Sequence, residues 1–216
     1  MTASGDTNQR LSAAVLAGGK SMRMGVDKAL LSLRPGDPPM ARIVLNQLQS
    51  IAQDVLLIAS DRPEYAQFGV RIVPDGYSGS AALGGIATAL SNCASDFCLV
   101  VACDMPFLNL RLLQWMAAQP KNYDVLIPHL SGESRQGGDF IYQTLHAIYS
   151  KRCLPAIEYQ LNDGNRQVIG FFGKVNVQVI PEAQIRELDP ELRSFFNANS
   201  PEAAAQARTW LKRDLA

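Results

Sequence analysis

A glycine pair followed by two cations stands near the start of the sequence. Gly18 and Gly19 come directly after an apolar run, and Arg23 and Lys28 follow shortly afterwards. Adjacent glycines let a ligand approach the backbone, because they lack Cβ atoms. Exposed backbone N–H groups at such a turn attract anions, and two full positive charges strengthen that attraction. The segment is typical of a polyphosphate-binding loop, although a Gly-rich turn with surface basic residues explains the pattern without a ligand.

Two better-known phosphate loops do not fit this segment. The tripeptide Gly-Lys-Ser at positions 19–21 imitates the end of a P-loop, but Ala14 stands where that pattern requires a further glycine. The dinucleotide fingerprint G-x-G-x-x-G is also missing, since the two glycines are adjacent and the next one is Gly25. The sequence therefore predicts a third kind of nucleotide loop.

Two carboxylates follow apolar runs further along the chain. Asp104 comes directly after the most apolar run, residues 96–102, where an unpaired carboxylate would be costly. Mg²⁺ is often held by one carboxylate together with ligand phosphates, so Asp104 is a candidate metal ligand, or else it caps the turn before Pro106. Asp75 could accept hydrogen bonds from a ribose hydroxyl or a base amine. Taken alone, it is better explained as part of an Asx turn.

The elements that must position these residues alternate along the chain. We predict buried strands at residues 11–16, 54–59, 70–73, 96–102, 123–128 and 175–180, and helices at residues 40–51, 83–92 and 142–161, after Asn109 and after Ser200. This alternation predicts an α/β fold with a mostly parallel sheet. Ligands of such sheets bind beyond the carboxyl ends of the strands, where Lys28, Asp75 and Asp104 would meet.

Length and charge narrow the classes of function. The 216 residues balance 20 basic with 20 acidic side chains, which argues against a broad nucleic-acid surface. No apolar run approaches the ~20 residues of a membrane span. Residues 1–10 are polar and are expected to form a frayed tail rather than a signal peptide, followed by a single domain at 11–216.

The cysteines and histidines do not suggest a metal centre. The four cysteines contain no C-x-x-C pair, so we expect reduced thiols in a cytoplasmic protein rather than disulfides or a zinc site. His129 and His146 are isolated from any cluster of metal-binding residues and are expected to be structural or solvent-facing.

The motifs together resemble those of the molybdenum cofactor guanylyltransferases, the MobA-like nucleotidyltransferases. The pattern L-A-G-G-x-S-x-R-M-G-x-D-K occupies residues 16–28 and is highly specific. Further matches follow in order, namely Pro-Asp at 74–75, Leu-Gly-Gly-Ile at 83–86, Cys-Asp-Met-Pro-Phe-Leu at 103–108, Gly-Asn-Arg at 164–166 and Asn-Ala-Asn-Ser-Pro-Glu at 197–202. The resemblance covers about residues 11–212, and Ala81-Ala82 replace the family's Gly-Pro.

The resemblance implies a Rossmann-like, GT-A-like nucleotidyltransferase that moves GMP from GTP to the phosphate of molybdopterin and releases pyrophosphate. Residues 11–120 would form the nucleotide half and residues 121–216 the acceptor half. Carried over by position, the nucleotide site would contain Leu16, Ala17, Gly18, Gly19, Lys28, Asp61, Asp75 and Asp104. Arg23, Lys28 and Asp104 would be catalytic, with Mg²⁺ on Asp104. Arg166, Asn197 and Asn199 would bind the acceptor.

The family often has Asn at about the position of Ala59, where it helps to read guanine. Ser60 or Asp61 could take its place, and Asp61 is the expected carboxylate acceptor for the N1–H and amino donors of the base. The acceptor phosphate is already a competent nucleophile, so no strong general base is needed. Other proteins of cofactor synthesis and recipient molybdoenzymes are possible partners. A relative that uses CTP or another phosphorylated acceptor, and a non-catalytic nucleotide-binding protein, are the alternatives.

Overall fold

A computed structural model of the protein describes residues 11–17, 27–59, 62–77, 79–132 and 139–214. The described strands are β1 (Leu11–Leu16), β2 (Asp54–Ile58), β3 (Arg71–Val73), β4 (Phe97–Ala102), β5 (Val125–Ser131), β6 (Phe140–Tyr142), β7 (His146–Ser150) and β8 (Val177–Ile180). The described α-helices are α1 (Met40–Gln49), α2 (Ala81–Asn92), α3 (Leu110–Ala117), α4 (Leu154–Asn162), α5 (Glu182–Arg186) and α6 (Pro201–Arg213).

Short 3-10 helices complete the described secondary structure. They span Lys28–Leu30, Pro63–Phe68, Lys151–Cys153, Val168–Lys174 and Arg193–Phe195.

The strands form one mixed sheet that runs through both halves of the chain. Its order is β3-β2-β1-β4-β7-β5-β6, with β8 paired to β5. β3, β2, β1 and β4 are mutually parallel, whereas β7 runs antiparallel to both β4 and β5. The α/β fold with a mostly parallel sheet is thereby confirmed, with antiparallel strands added in its second half.

Alternate residues of β1 face two different cores. Ala13 and Val15 pack in a cluster with α1 and α3, whereas Ala14 and Leu16 pack in a second cluster with α2 and α4. All six residues of β1 and of β4 are buried, as expected of central strands that are covered on both faces. This is why both strands read as continuous apolar runs in the sequence.

The predicted helix at residues 142–161 is wrong in its first half. Residues His146–Ser150 form β7, an inner strand between β4 and β5, and α4 begins only at Leu154. All five residues of β7 are buried, including the polar His146 and Ser150, so the strand shows no alternation of polar and apolar faces. Leu145, Ile148 and Tyr149 also fall at helical spacing, which is why the segment resembled a helix. β6, α5 and the 3-10 helix at Val168–Lys174 were not predicted either.

The final helix packs back on the segment that follows the first strand. Ala198, Ala204 and Ala207 share a small core with Leu33 and Met40. Arg208 Nε also donates a hydrogen bond to the Leu33 carbonyl at 2.6 Å. The two ends of the described chain are therefore fixed against each other, which holds the segment before α6 near the carboxyl end of β1.

Both predicted helix caps are confirmed. Asn109 Oδ1 accepts hydrogen bonds from the backbone of Arg111 and Leu112 at the start of α3. Ser200 Oγ accepts one from Ala203 at the start of α6, with Pro201 in the first turn. These side chains satisfy N–H groups that would otherwise lack partners in the first turn of each helix.

The four cysteines are buried and unpaired, as predicted. None of the helices described in the structure is long and apolar enough to cross a bilayer.

Candidate active site

Backbone hydrogen bonds join the carboxyl ends of the four parallel strands. Beyond the strand ends, Cys103 donates to the Leu16 carbonyl at 3.1 Å, Ala17 donates to Ile58 at 2.9 Å, and Ala59 donates to Val73 at 3.1 Å. The loops after β1, β2, β3 and β4 therefore leave the sheet side by side, as the parallel order predicts.

Asp104 lies at the centre of this edge, two residues after β4. Its carboxylate Oδ2 is 3.5 Å from Lys28 Nζ, which arrives from the loop after β1. Both side chains are largely buried, with exposed fractions of 13% for Asp104 and 22% for Lys28. A separation of 3.5 Å is long for a hydrogen bond, so the two charges attract each other without saturating the carboxylate.

Lys28 is the first residue of a 3-10 helix whose N-cap is Asp27. Asp27 Oδ1 accepts a hydrogen bond from the Ala29 backbone at 3.0 Å. Asp27 Oδ2 accepts hydrogen bonds from the Tyr65 hydroxyl at 2.6 Å and from Arg62 at 2.8 Å. The residue before the candidate phosphate-binding lysine is thus fixed by three donors.

Asp75 forms the Asx turn that its sequence context favoured, and its carboxylate also contacts the side chain of Thr88 in α2. Its Oδ1 accepts from the Tyr77 backbone at 3.0 Å and lies 3.1 Å from the Thr88 hydroxyl, which shares its one proton between Asp75 and the Gly84 carbonyl at 2.9 Å. The Thr88 oxygen also accepts a hydrogen bond from the Gly76 backbone at 3.1 Å. Asp75 Oδ2 accepts no hydrogen bond from the described residues, which leaves one oxygen of the carboxylate for a ligand.

The glycine pair at the start of α2 explains how that helix approaches the site. A Cβ atom on Gly84 would lie 2.9 Å from the Tyr77 carbonyl oxygen, and one on Gly85 would lie 2.9 Å from Leu16 Cδ1. A side chain at Gly84 would meet backbone and push α2 away from the loop after β3, whereas one at Gly85 would require the end of the Leu16 side chain to move. Gly84 of the matched Leu-Gly-Gly-Ile motif is therefore a packing requirement of this edge.

Arg166 is exposed in the loop that follows α4. The buried Gln160 donates through Nε2 to the Gln167 carbonyl at 2.6 Å, and Asn165 Oδ1 accepts from the Gln167 backbone at 3.0 Å. Because α4 follows an antiparallel strand, its carboxyl end returns to the edge that carries Asp104. The backbone on both sides of Arg166 is anchored, while its side chain points away from the protein core.

Asn197 and Asn199 flank a residue that touches the Asp104 turn. The Ala198 backbone donates to the Asp104 carbonyl at 2.8 Å, and the Ala198 side chain is fully buried. Both asparagines are exposed, and Asn197 Nδ2 donates to the Phe195 carbonyl at 3.2 Å. The structure thus brings these residues beside Asp104, although they are almost a hundred positions away in the sequence.

His146 lies beneath this segment and is completely buried. Its ring centroid is 4.6 Å from that of Phe195, and neither ring nitrogen makes a well-formed hydrogen bond with the described residues. Burial lowers the pKa of the imidazole to about 4, and the nearby Ser194 backbone opposes part of that effect. The histidine is therefore neutral at physiological pH, in line with its predicted structural role. His129 is partly exposed and stacks on Phe140.

Several predicted site residues fall outside the described part of the chain. These are Gly18, Gly19, Arg23 and Asp61. Leu16 and Ala17 lie where the loop leaves the sheet, and the Ala17 N–H is already used in the hydrogen bond to Ile58. Among the other predicted residues, Lys28, Asp75, Asp104, Asn197 and Asn199 lie on loops at the same edge of the sheet, and Arg166 lies in the loop that follows α4.

Three supporting residues were missed by sequence reasoning: Tyr65, Thr88 and Gln160. Thr88 carried a detectable signal, because it is the one polar residue in the buried stretch 83–90 of α2. Tyr65 and Gln160 carried none, because their partners are set by the fold.

The Asp104 carboxylate could bind a hard divalent cation whose remaining ligands are oxygen atoms of a bound nucleotide and water. No group of three or more potential metal-binding side chains occurs among the described residues, so they build no all-protein cage. Burial, and after it the charge of Asp104, raises the pKa of the neighbouring Cys103 thiol, so the thiol is protonated when no cation is bound. One carboxylate completed by phosphate oxygens and water is the arrangement in which Mg²⁺ commonly binds.

A parallel sheet whose carboxyl edge brings a lysine beside an aspartate, with a Gly-rich sequence following its first strand, is typical of α/β nucleotide-binding proteins. Residues 13–177 match the family described as the MobA-like NTP transferase domain. The chain is 39% identical over 194 residues to a probable molybdenum cofactor guanylyltransferase of Pelotomaculum thermopropionicum, covering 90% of each chain. It is 28% identical to a molybdenum cofactor guanylyltransferase of Desulfosudis oleivorans, covering 92% of this chain and 94% of that one.

Solved structures show the same fold. The crystal structure of molybdopterin-guanine dinucleotide biosynthesis protein A from Archaeoglobus fulgidus superposes with a TM-score of 0.77 at 24% identity, covering 94% of this chain and 99% of that one. A 2-C-methyl-D-erythritol 4-phosphate cytidylyltransferase from Thermus thermophilus gives a TM-score of 0.66 at 15% identity, covering 94% and 99%. The chain belongs to the MobA-like NTP transferase family.

Proposed function

We propose that this protein is a molybdenum cofactor guanylyltransferase, which transfers GMP from GTP to the phosphate of molybdopterin and releases pyrophosphate. The observation that carries the proposal is the Lys28–Asp104 pair at the carboxyl edge of the sheet, in a chain whose relatives bear this name. A protein that only bound a nucleotide would not need a metal-type carboxylate beside the phosphate-binding lysine.

The nucleotide would lie across the loops after β1, β3 and β4. Residues 16–19 would wrap it, Lys28 and Arg23 would neutralise its phosphates, and the unengaged oxygen of Asp75 would accept from the guanosine. Asp61 would accept from the guanine N1–H and amino group. Asp104 would hold Mg²⁺, which when bound supplies positive charge to the phosphate oxygens.

The reaction is an in-line displacement at the α-phosphorus of the nucleotide. An oxygen of the acceptor phosphate forms the new bond to this phosphorus, and the bond to the bridging oxygen of pyrophosphate breaks. Lys28 stabilises the charge that develops on the leaving group. Arg166, Asn197 and Asn199 would orient the acceptor so that its phosphate attacks from the opposite side.

The test is incubation of the protein with each of the four NTPs, Mg²⁺ and molybdopterin, followed by measurement of pyrophosphate and of the dinucleotide product by mass. We expect GTP to be preferred over ATP and CTP by at least ~10-fold, because each buried polar group that the wrong base leaves unpaired costs ~1–3 kcal/mol. Omission of molybdopterin is the control for simple NTP hydrolysis. Faster turnover with CTP would instead assign the chain to a cytidylyl-transferring activity.

A further inference from the structure

The Asp27 carboxylate connects Lys28 to a buried tyrosine from a distant part of the chain. Tyr65 belongs to the 3-10 helix Pro63–Phe68, which follows β2, and only 2% of it is exposed. Its hydroxyl donates to Asp27 Oδ2 at 2.6 Å across 38 positions of sequence. A hydrogen bond between a neutral donor and a carboxylate is stronger than one between neutral groups.

Tyr65 is itself held firmly by its neighbours. Its ring packs against Phe68 with centroids 5.9 Å apart, and the Arg42 guanidinium of α1 lies 5.4 Å from the Phe68 ring centroid. Arg42 Nη1 also donates to the Phe68 carbonyl at 2.8 Å. Burial and the Asp27 carboxylate raise the pKa of Tyr65 above its ordinary value, so the hydroxyl stays a donor.

The second donor to the same oxygen is less constrained. Arg62 Nη1 lies 2.8 Å from Asp27 Oδ2, but its side chain is 51% exposed. An exposed ion pair contributes little because solvent screens it and because ordering the side chain costs entropy. The tyrosine is therefore the dominant anchor, and the arginine supplements it.

We propose that Tyr65 is a positioning residue for nucleotide binding, acting through Asp27 on the Lys28 ammonium. Lysine has a flexible stem, so its charge is directed at a phosphate only if its backbone is fixed. Asp27 fixes that backbone as the N-cap of the 3-10 helix Lys28–Leu30, and Tyr65 fixes the orientation of Asp27. This inference rests on the proposed function, since it assumes that Lys28 binds the nucleotide phosphates.

A double-mutant cycle on nucleotide binding tests the inference. The substitution Tyr65→Phe removes the hydroxyl and keeps the ring, and Lys28→Met removes the charge and keeps the stem. We expect Tyr65→Phe to weaken binding of GTP with Mg²⁺ by about 5- to 10-fold, less than the roughly 10- to 150-fold of a direct hydrogen bond to a charged group, because the hydroxyl acts through Asp27. In the Lys28→Met background the same substitution should weaken binding less than about 2-fold, because the group through which it acts is absent.

Tyr159→Phe is the matched control, because it removes the hydroxyl of an exposed tyrosine on α4. Binding is measured by calorimetry, so the cycle does not depend on residual turnover. Equal effects of Tyr65→Phe in both backgrounds would overturn the inference and leave Tyr65 as a purely structural residue. If the unaltered protein preferred another NTP, the proposed function would fail, and the same cycle run with that nucleotide would still decide the role of Tyr65.

Discussion

The two sides of the proposed cleft are built in different ways. On the nucleotide side, the carboxylates of Asp27 and Asp75 each accept hydrogen bonds from both backbone and side-chain donors, and Lys28 and Asp104 are mostly buried. On the acceptor side, Arg166, Asn197 and Asn199 are exposed on backbones that are themselves anchored. The nucleotide side fixes side chains in advance, whereas the acceptor side fixes only the backbone.

This difference has an energetic consequence. A long side chain that becomes ordered only when the acceptor binds loses up to about 2 kcal/mol of rotamer entropy. Side chains that are already hydrogen-bonded within the chain lose much less. Substitutions on the nucleotide side should therefore affect catalysis strongly, and those on the acceptor side should mainly affect acceptor KM.

The largest effect is expected from Asp104→Asn, which tests the nucleotide side. The amide keeps the shape of the side chain but loses its charge, and we expect kcat to fall by at least ~10²-fold, the scale of one major electrostatic contact. Turnover is measured at saturating Mg²⁺ and GTP. Asp37→Asn, which alters a surface ion pair with Arg34, is the control and should leave kcat unchanged. Near-normal turnover of the Asp104 variant would remove this residue from the metal site.

A second prediction concerns the support beneath the acceptor side. The pKa of His146 in the folded protein is about 4, below the value of 6.5 expected when the chain is unfolded, so the unfolded chain takes up the proton first. Stability from this group is therefore present above about pH 6.5 and is lost as the pH falls towards 4. We expect a loss of about 2 kcal/mol between pH 7 and pH 5.

The measurement is denaturant unfolding at both pH values. His146→Phe should flatten the pH dependence, while His129→Phe, at a partly exposed position, should not. NMR titration of the unaltered protein provides a readout that does not depend on the stability of the variants. A folded-state pKa of His146 near 6.5 would contradict the prediction.

Arg166→Ala is expected to act on the acceptor alone. Loss of one charge-assisted hydrogen bond should raise the acceptor KM by about 10-fold and leave the KM for GTP almost unchanged. Steady-state kinetics with each substrate varied in turn measure both constants. Lys212→Ala removes an exposed charge from α6 and serves as the control. If GTP binding weakens instead, Arg166 belongs to the nucleotide side. The nucleotide side would then contain an exposed side chain, contrary to the proposed difference between the two sides.

Thr88→Val removes a buried hydroxyl from the nucleotide side while keeping the shape of the side chain. The Asp75 carboxylate loses a donor and the Gly76 N–H loses its acceptor, so we expect the KM for GTP to rise by about 5-fold, or about 1 kcal/mol. Thr88→Ser keeps the hydroxyl and should restore most of the affinity. An unchanged KM for GTP in the valine variant would show that Asp75 does not depend on Thr88.

The smallest effect is expected at the start of α2. Ala81 has a φ of +51°, a left-handed conformation that costs a non-glycine residue about 1–2 kcal/mol. Ala81→Gly should raise the free energy of unfolding by about 0.5–1 kcal/mol, after the greater entropy of the unfolded glycine is subtracted. Ala82→Gly, one residue further into the helix, should lower it. Thermal unfolding of both variants measures the difference, and a loss of stability in both would argue against strain at Ala81.

Much of the fold was readable from the sequence, because its signals are local. Three parallel strands, β1, β2 and β4, are near-continuous apolar runs, and the Asn109 and Ser200 caps act within three residues of their own positions. Because ligands of parallel sheets bind beyond the carboxyl ends of the strands, Lys28, Asp75 and Asp104 were predicted to lie at one edge, where Lys28 and Asp104 are 3.5 Å apart. β7 was not readable, because its buried residues include the polar His146 and Ser150, so the strand forms neither a continuous apolar run nor an alternating pattern.

The sequence by itself determined the class of protein, and it predicted the edge of the sheet that carries the candidate site and the residue types that line it. Only the tertiary structure decided how those residues are held. Tyr65 meets Asp27 across 38 positions, and Lys28 meets Asp104 across 76. Such contacts follow from the order of the strands and the packing of helices on them, and a residue's own neighbours in the chain do not encode them. The charged residues of the candidate site were therefore predictable from the sequence, whereas the fold determined which of their side chains are fixed before a ligand binds.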